Sequence, residues 1–115
     1  MAQDADRLSS KAISILSSGS PVVVSAISVA EISIKVARGK LVLRTPLSQC
    51  LEELRMEIEF DYLPLIPRHS LRLLNLPDIH RDPFDRLLIC QALEHQLTIL
   101  TPDPLIRQYQ ALTAW

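Results

Sequence analysis

The chain has 115 residues, of which 48% are hydrophobic and 22% charged, and its formal net charge is −1. This length and hydrophobic share predict one folded domain, residues 1–115, and exclude a disordered chain. The apolar runs are far shorter than the ~20 residues that cross a bilayer and the N-terminus has no signal-peptide pattern, so we expect a soluble, cytoplasmic protein without a membrane partner.

The predicted elements alternate between helices and strands along the chain. In order they are a helix at about Ser9–Ser17, a strand at Pro21–Ser25, a helix at about Ala26–Arg38, an extended piece at Leu41–Leu43, a helix entered at Pro46, a strand at Leu63–Ile66, helices at Pro67–Leu74 and Phe84–Gln96, a strand at Leu97–Thr101, a helix at Pro104–Ala111 and a final strand at Leu112–Trp115. This alternation predicts an α/β protein with a parallel sheet covered on both faces. In such sheets, ligands bind beyond the carboxyl ends of the strands.

Glu31 is an acidic residue in an unusual position. On its predicted helix it shares a face with Ile27, Ala30 and Ile34, the face that should pack on the sheet. A carboxylate on that face is partly desolvated, which costs free energy unless a metal or another cation compensates. The alternative is a surface ion pair with Lys35, four residues further along the helix. The sequence leaves both interpretations open.

Asp82 and Asp85 lie at the start of the strongest predicted helix. Asp82 followed by Pro83 is typical of an N-cap and a first helical position. Asp85 continues the apolar face of Leu88 and Ile89, so we expect its carboxylate to point inward. A carboxylate near a helix N-terminus is stabilised by the unpaired N–H groups there. Capping alone is therefore an alternative explanation for both aspartates.

Asp103 follows the predicted strand Leu97–Thr101 and precedes Pro104. It is placed as an N-cap, or as a ligand-binding carboxylate at the end of a parallel strand. Three or four carboxylates at one sheet edge repel each other unless a divalent cation is bound, and oxygen ligands of this kind suit Mg²⁺ or Mn²⁺. Such ions activate water and polarise phosphoryl oxygens, which indicates phosphodiester hydrolysis. The three histidines show no metal-ligand spacing.

Three segments of the chain, Val24–Leu43, His80–Ala92 and Leu97–Asp103, together form a specific pattern in their order and spacing. They resemble the second-strand and helix segment, the signature helix and the fourth-acid strand of PIN domains of the VapC toxin type. The resemblance extends over essentially the whole chain. It implies a three-layer α/β/α fold around a short parallel sheet.

The resemblance also implies a function, that of a metal-dependent endoribonuclease acting as the toxin of a toxin–antitoxin pair. By position, Glu31, Asp85 and Asp103 correspond to the family's second, third and fourth acidic residues, which bind Mg²⁺ or Mn²⁺, and Asp82 is an accessory metal ligand or only a cap. The weaker candidates for holding RNA phosphates are basic residues near these acids: Lys35, Arg81 and Arg86. The implied partners are an RNA substrate, a VapB-like antitoxin and a second copy in a homodimer.

The sequence departs from this family at its N-terminus. Family members begin with a central apolar strand that ends in an Asp-Thr motif, whereas Asp4 and Asp6 match the loop that follows it. We therefore expect the first strand and its carboxylate to be missing, and catalysis to depend on their restoration. Three explanations are open: the native protein starts further upstream; the chain is truncated and rebuilds its sheet, alone or with a partner; or it is a non-catalytic remnant that binds an antitoxin or dimerises.

Overall fold

The computed structural model describes residues 9–101, 103–109 and 111–115. Asp4 and Asp6 lie outside these residues. The described part forms two compact units, one built from residues 9–20 and 66–115 and the other from Pro21–Leu65. The prediction of a single domain over residues 1–115 stays a prediction.

The unit Pro21–Leu65 contains two strands and two helices. These are β1 (Val23–Ser25), α2 (Ala26–Ala37), α3 (Leu47–Glu57) and β2 (Asp61–Leu63). The strands are parallel, with Val24 opposite Tyr62. The hydroxyl oxygen of Ser25 accepts the N–H of Ile27 at 3.0 Å and begins α2 directly at the end of β1. Gly39 follows α2 with a φ of 70°, a conformation that glycine adopts without steric cost.

The second strand of this unit lies earlier than the sequence indicated. The predicted strand Leu63–Ile66 is wrong in position, because the ladder runs over Asp61–Leu63 and ends before Pro64. Proline has no N–H to donate and cannot continue a ladder from within it. The extended piece expected at Leu41–Leu43 adopts no regular secondary structure.

The other unit contains three helices, two 3₁₀ turns and two strands. They are α1 (Ser10–Ser17), α4 (Pro67–Leu71), a 3₁₀ turn (Arg72–Asn75), α5 (Pro83–His95), β3 (Thr98–Leu100), a second 3₁₀ turn (Ile106–Gln108) and β4 (Leu112–Ala114). Strands β3 and β4 are parallel, with Ile99 opposite Thr113. Gln96, with a φ of 56°, ends α5 and turns the chain into β3.

The last predicted helix is reduced to a single turn that packs in the core of this unit. Ile89, Ile106 and Tyr109 are buried together. The prediction of a helix at Pro104–Ala111 is wrong, because regular structure is limited to the single turn Ile106–Gln108 and Tyr109 is already extended. One turn suffices to bury Ile106 and Tyr109 on the same side, since they are three residues apart.

Among the described residues, the chain is a mixed α/β protein with five helices and two short pairs of parallel strands. The predicted α/β class is therefore confirmed. In the same part of the chain, every helix is too short or too polar to cross a bilayer.

Candidate metal centre

The start of α5 brings the first of the predicted acidic residues into place. Asp82 is the N-cap, and its Oδ1 accepts the N–H of Phe84 at 2.9 Å. Pro83 occupies the first helical position, where a missing N–H costs nothing. The capping alternative for Asp82 is therefore observed.

Asp85 and Asp103 meet at one nitrogen atom of His80. The Oδ2 of Asp85, in the first turn of α5, lies 3.0 Å from His80 Nε2. The Oδ2 of Asp103, beyond the end of β3, lies 3.2 Å from the same atom. The side chains of Asp85 and His80 are mostly buried, with 19% and 13% of their surface exposed. Two aspartates 18 positions apart thus contact one nitrogen atom, which is within hydrogen-bonding geometry of Asp103.

Asp103 is also held by its own local turn. Its Oδ1 accepts the N–H of Leu105 at 2.8 Å, and its N–H donates to Thr101 Oγ1 at 3.0 Å. Burial raises the pKa of the Asp103 carboxyl, but the Leu105 N–H and His80 outweigh burial and bring this pKa below its ordinary value. Asp103 is consequently a carboxylate at neutral pH. It both accepts the N–H of the turn after β3 and lies beside His80 together with Asp85.

The second ring nitrogen of His80 indicates which nitrogen carries the ring proton. The N–H of Asp82 donates to His80 Nδ1 at 3.1 Å, so Nδ1 offers a lone pair. The ring proton of neutral His80 therefore sits on Nε2, where it points at the two aspartates. This proton partly compensates the repulsion between two nearby carboxylates.

The backbone of His80 is anchored by a buried tyrosine and an arginine. The hydroxyl oxygen of Tyr109 accepts the N–H groups of Ile79 and His80, at 3.1 and 2.7 Å. Arg86 donates to the carbonyl oxygens of Pro77, Leu76 and His80, at 3.0, 3.4 and 3.4 Å. Its guanidinium group thus closes the loop before α5, a structural task that the sequence did not predict. Its contact with RNA stays a prediction.

Asp85 and Asp103 fit a divalent cation in their donor chemistry. The ligand atoms that they offer all lie within 4.8 Å of one another. The two carboxylates are the oxygen donors that Mg²⁺ and Mn²⁺ prefer. Clusters of acidic side chains also occur without a bound ion.

The remaining predicted residues are Glu31, Lys35 and Arg81. Glu31 and Lys35 belong to α2 of the other unit, where Lys35 Nζ lies 3.4 Å from Glu31 Oε2. The predicted ion pair thus forms, and the Glu31 side chain retains 22% exposure. Arg81 is exposed next to Asp82. The approach of Glu31 to Asp85 and Asp103 stays a prediction.

His80 is the functional candidate that sequence reasoning missed. The spacing of the three histidines did not indicate a metal site. The spacing that matters is that of His80 and the N-cap Asp82, which are two residues apart and in contact. A histidine two residues before a capping aspartate can fold its ring back onto the cap, and this local signal was available in the sequence.

The family model of the PIN domain matches residues 2–112. No curated protein and no solved structure matches the chain significantly.

Proposed function

The chain belongs to the PIN-domain family, and we propose that it is a metal-dependent endoribonuclease of the VapC toxin type, which hydrolyses RNA phosphodiester bonds. The family suggests a nuclease-like fold. The proposal goes beyond this fold in three respects, namely the toxin type, the RNA substrate and the metal. The observation that carries the proposal is the convergence of Asp85 and Asp103 on His80 Nε2, at 3.0 and 3.2 Å.

Each acidic residue has a proposed role in this activity. Asp85 and Asp103 would bind the cation directly, and Glu31 would complete the set of carboxylates. Asp82 caps α5 and so acts on the site mainly by fixing the first turn that carries Asp85. A bound Mg²⁺ or Mn²⁺ would supply the Lewis acid and lower the pKa of water for attack on phosphorus.

Basic residues near the acids are proposed to hold the RNA backbone. Lys35 has 53% of its side chain exposed, and Arg81 is exposed as well. Both can reach a phosphate without losing a buried contact. Arg86 is the weakest of the three candidates, because its N–H groups already donate to backbone carbonyls.

The direct test is cleavage of a single-stranded RNA by the purified chain in Mg²⁺ or Mn²⁺, with chelator added to a parallel reaction. We expect metal-dependent cleavage that Asp85→Asn and Glu31→Gln each reduce at least ~100-fold, since each removes a charged ligand. Asp61→Asn is the matched control, because Asp61 is an exposed carboxylate on β2. Cleavage that survives both substitutions, or that persists in chelator, contradicts the proposed site.

We also propose that cleavage depends on an apolar strand ending in Asp-Thr, the segment with which members of the family begin, ahead of Asp4 and Asp6. The test is to add an apolar strand ending in Asp-Thr ahead of Met1. Cleavage should rise with this segment and not with the same segment ending in Asn-Thr. Equal cleavage with and without the segment would show that the chain does not need it.

The alternative function is a non-catalytic interaction module that binds a VapB-like antitoxin or a second copy. It is favoured by apolar side chains exposed after α2, with 88% of Val42 and 37% of Leu41 accessible. They line a groove of about 480 Å³ together with Val36 and Pro46. This alternative predicts a dimer by light scattering and dissociation of that dimer by Val42→Asp. It also predicts no cleavage of RNA with any metal ion.

A further inference from the structure

His80 stands at the junction of the two aspartates, and neither the family assignment nor the proposed activity gives it a role. We propose that His80 is a positioning residue, a hydrogen-bond donor that holds the carboxylates of Asp85 and Asp103 at a spacing suited to one divalent cation. It would do so without ligating the ion. The inference rests on the proposed function only in treating these two aspartates as metal ligands.

The hydrogen bond at the other ring nitrogen argues against ligation. A histidine that binds a metal presents a lone pair to the ion and usually donates its second ring N–H to an acceptor. In His80 the second nitrogen, Nδ1, itself accepts the N–H of Asp82 at 3.1 Å. Ligation through Nε2 would move the ring proton to Nδ1, where it would face the Asp82 N–H. Two donors would then point at each other.

The spacing of the carboxylates suits the positioning role. Adjacent ligands of an octahedral ion with bonds of about 2.1 Å lie about 3.0 Å apart, and opposite ligands about 4.2 Å. The carboxylate oxygens of Asp85 and Asp103 lie within 4.8 Å of one another. Without a donor between them, two carboxylates at this spacing would repel and separate. The Nε2–H of His80 therefore keeps the two carboxylate oxygens within 4.8 Å of one another, close to the ligand separations of such an ion.

The imidazole ring of His80 is itself held from two directions. The backbone N–H of His80 donates to the Tyr109 hydroxyl at 2.7 Å, and Asp82 donates to the ring at 3.1 Å. Tyr109 is buried, with 6% of its surface exposed. A ring fixed at both its backbone and its far nitrogen can orient the carboxylates that it contacts, as the outer partners of metal ligands do.

The first experiment measures Mn²⁺ affinity by titration calorimetry on three proteins: the full chain, His80→Ala and His80→Gln. Loss of an outer partner typically weakens metal binding 10- to 100-fold, and we expect about this loss for His80→Ala. The side-chain amide of glutamine can donate from near the position of Nε2, so His80→Gln should recover most of the affinity. His95→Gln, at the opposite end of α5, is the matched histidine control and should bind Mn²⁺ normally.

The second experiment separates positioning from ligation. Pulsed electron paramagnetic resonance of the Mn²⁺-loaded full chain should show no directly coordinated nitrogen. A coordinated nitrogen that disappears in His80→Ala would make His80 a ligand and overturn the inference. Binding of Mn²⁺ by His80→Ala as tight as that of the full chain would overturn it as well. In the metal-free protein, long-range ¹H–¹⁵N spectra should show the proton on Nε2, and a proton on Nδ1 would contradict the geometry.

These assays contain no RNA, so the inference and the proposed function fail separately. Mn²⁺ binding that depends on His80 in a chain that never cleaves RNA would overturn the ribonuclease and support the positioning role. Metal-dependent cleavage with unchanged Mn²⁺ affinity in His80→Ala would do the reverse. A full chain that binds no Mn²⁺ would overturn both.

Discussion

The hydroxyl oxygen of Tyr109 accepts the backbone N–H of His80 at 2.7 Å. It accepts the N–H of Ile79 as well, at 3.1 Å. A buried side chain from the end of the second 3₁₀ turn thus satisfies two donors in the loop before α5, the loop that carries His80 to the acidic residues. The position of the candidate metal centre depends on this contact between distant parts of the chain.

Replacing Tyr109 by phenylalanine should destabilise the protein by about 1–3 kcal/mol, because two backbone N–H groups lose their acceptor. Urea unfolding of the wild type and Tyr109→Phe measures the difference. Tyr62→Phe is the control, since Tyr62 is 42% exposed. Equal losses of stability in the two variants would mean that the Tyr109 hydroxyl has no special role.

Arg86 should prove important for stability, whatever its role with RNA. Its guanidinium group donates to the carbonyl oxygens of Pro77 and His80, and hydrogen bonds to charged groups contribute about 1.5–3 kcal/mol each. We expect Arg86→Ala to lower the free energy of unfolding by at least the contribution of one such bond, with Arg81→Ala, an exposed neighbour, almost neutral. If Arg86 served only to bind RNA, its removal would leave the unfolding curve unchanged.

Acidification should destabilise the protein through His69. Burial lowers the pKa of His69 below its ordinary 6.5, and neighbouring His95 and Arg68 lower it further, while Glu94 opposes them. The Nδ1 of His69 accepts the N–H of Ile66 at 3.2 Å, a bond that requires the neutral ring. As the pH falls through 6.5, the unfolded chain therefore gains a proton that the folded chain resists, and stability decreases.

Unfolding free energies at pH 7.5 and 5.5 measure this effect. The slope from one such group is at most about 1.4 kcal/mol per pH unit. His69→Asn should flatten the dependence, because asparagine can accept the Ile66 N–H without titrating. The pKa of Asp103 is lowered in the folded protein, so the stability that Asp103 contributes is lost only when the pH falls below the ordinary pKa of an aspartate. This loss occurs at more acidic pH than the effect of His69. An unchanged slope in His69→Asn would assign the pH dependence to other groups.

Divalent metal should raise the thermal stability of the chain. A ligand that binds only the folded state at 100 times its dissociation constant adds about 2.7 kcal/mol. We expect Mn²⁺ to raise the melting temperature, chelator to reverse the rise, and Asp103→Asn to abolish most of it. Asp103→Asn keeps an oxygen for the Leu105 N–H, so the turn after β3 should survive. A metal-induced rise that persists in Asp103→Asn would place the ion elsewhere.

The helices that begin at strong local signals were predictable from the sequence. Ser25 and Asp82 accept backbone N–H groups two residues ahead, as short polar side chains do at helix N-termini. The end of α2 before Gly39 and the start of α5 at Pro83 follow from the same local chemistry. These features depend on interactions within a few residues, so neighbouring letters of the sequence suffice to specify them.

Elements that depend on distant partners were harder to predict. The strand expected at Leu63–Ile66 formed at Asp61–Leu63, because the ladder with β1 and the missing N–H of Pro64 set its end. The helix expected at Pro104–Ala111 was limited to one turn, and Tyr109, already extended, is buried beside Ile89 and Ile106. Propensity alone does not include these contacts.

The residues of the candidate site also differ in whether local sequence or distant contacts place them. The sequence alone determined the positions of Asp82 at a helix N-terminus and of Asp103 after a strand, since both follow from local turn chemistry. Only the tertiary structure decided that Asp85 and Asp103 meet at His80. It also decided that Arg86 and Tyr109 hold the loop before α5. The reason is that capping needs atoms two residues apart, whereas this cluster needs residues 80, 85, 103 and 109 to be brought together by packing of the core.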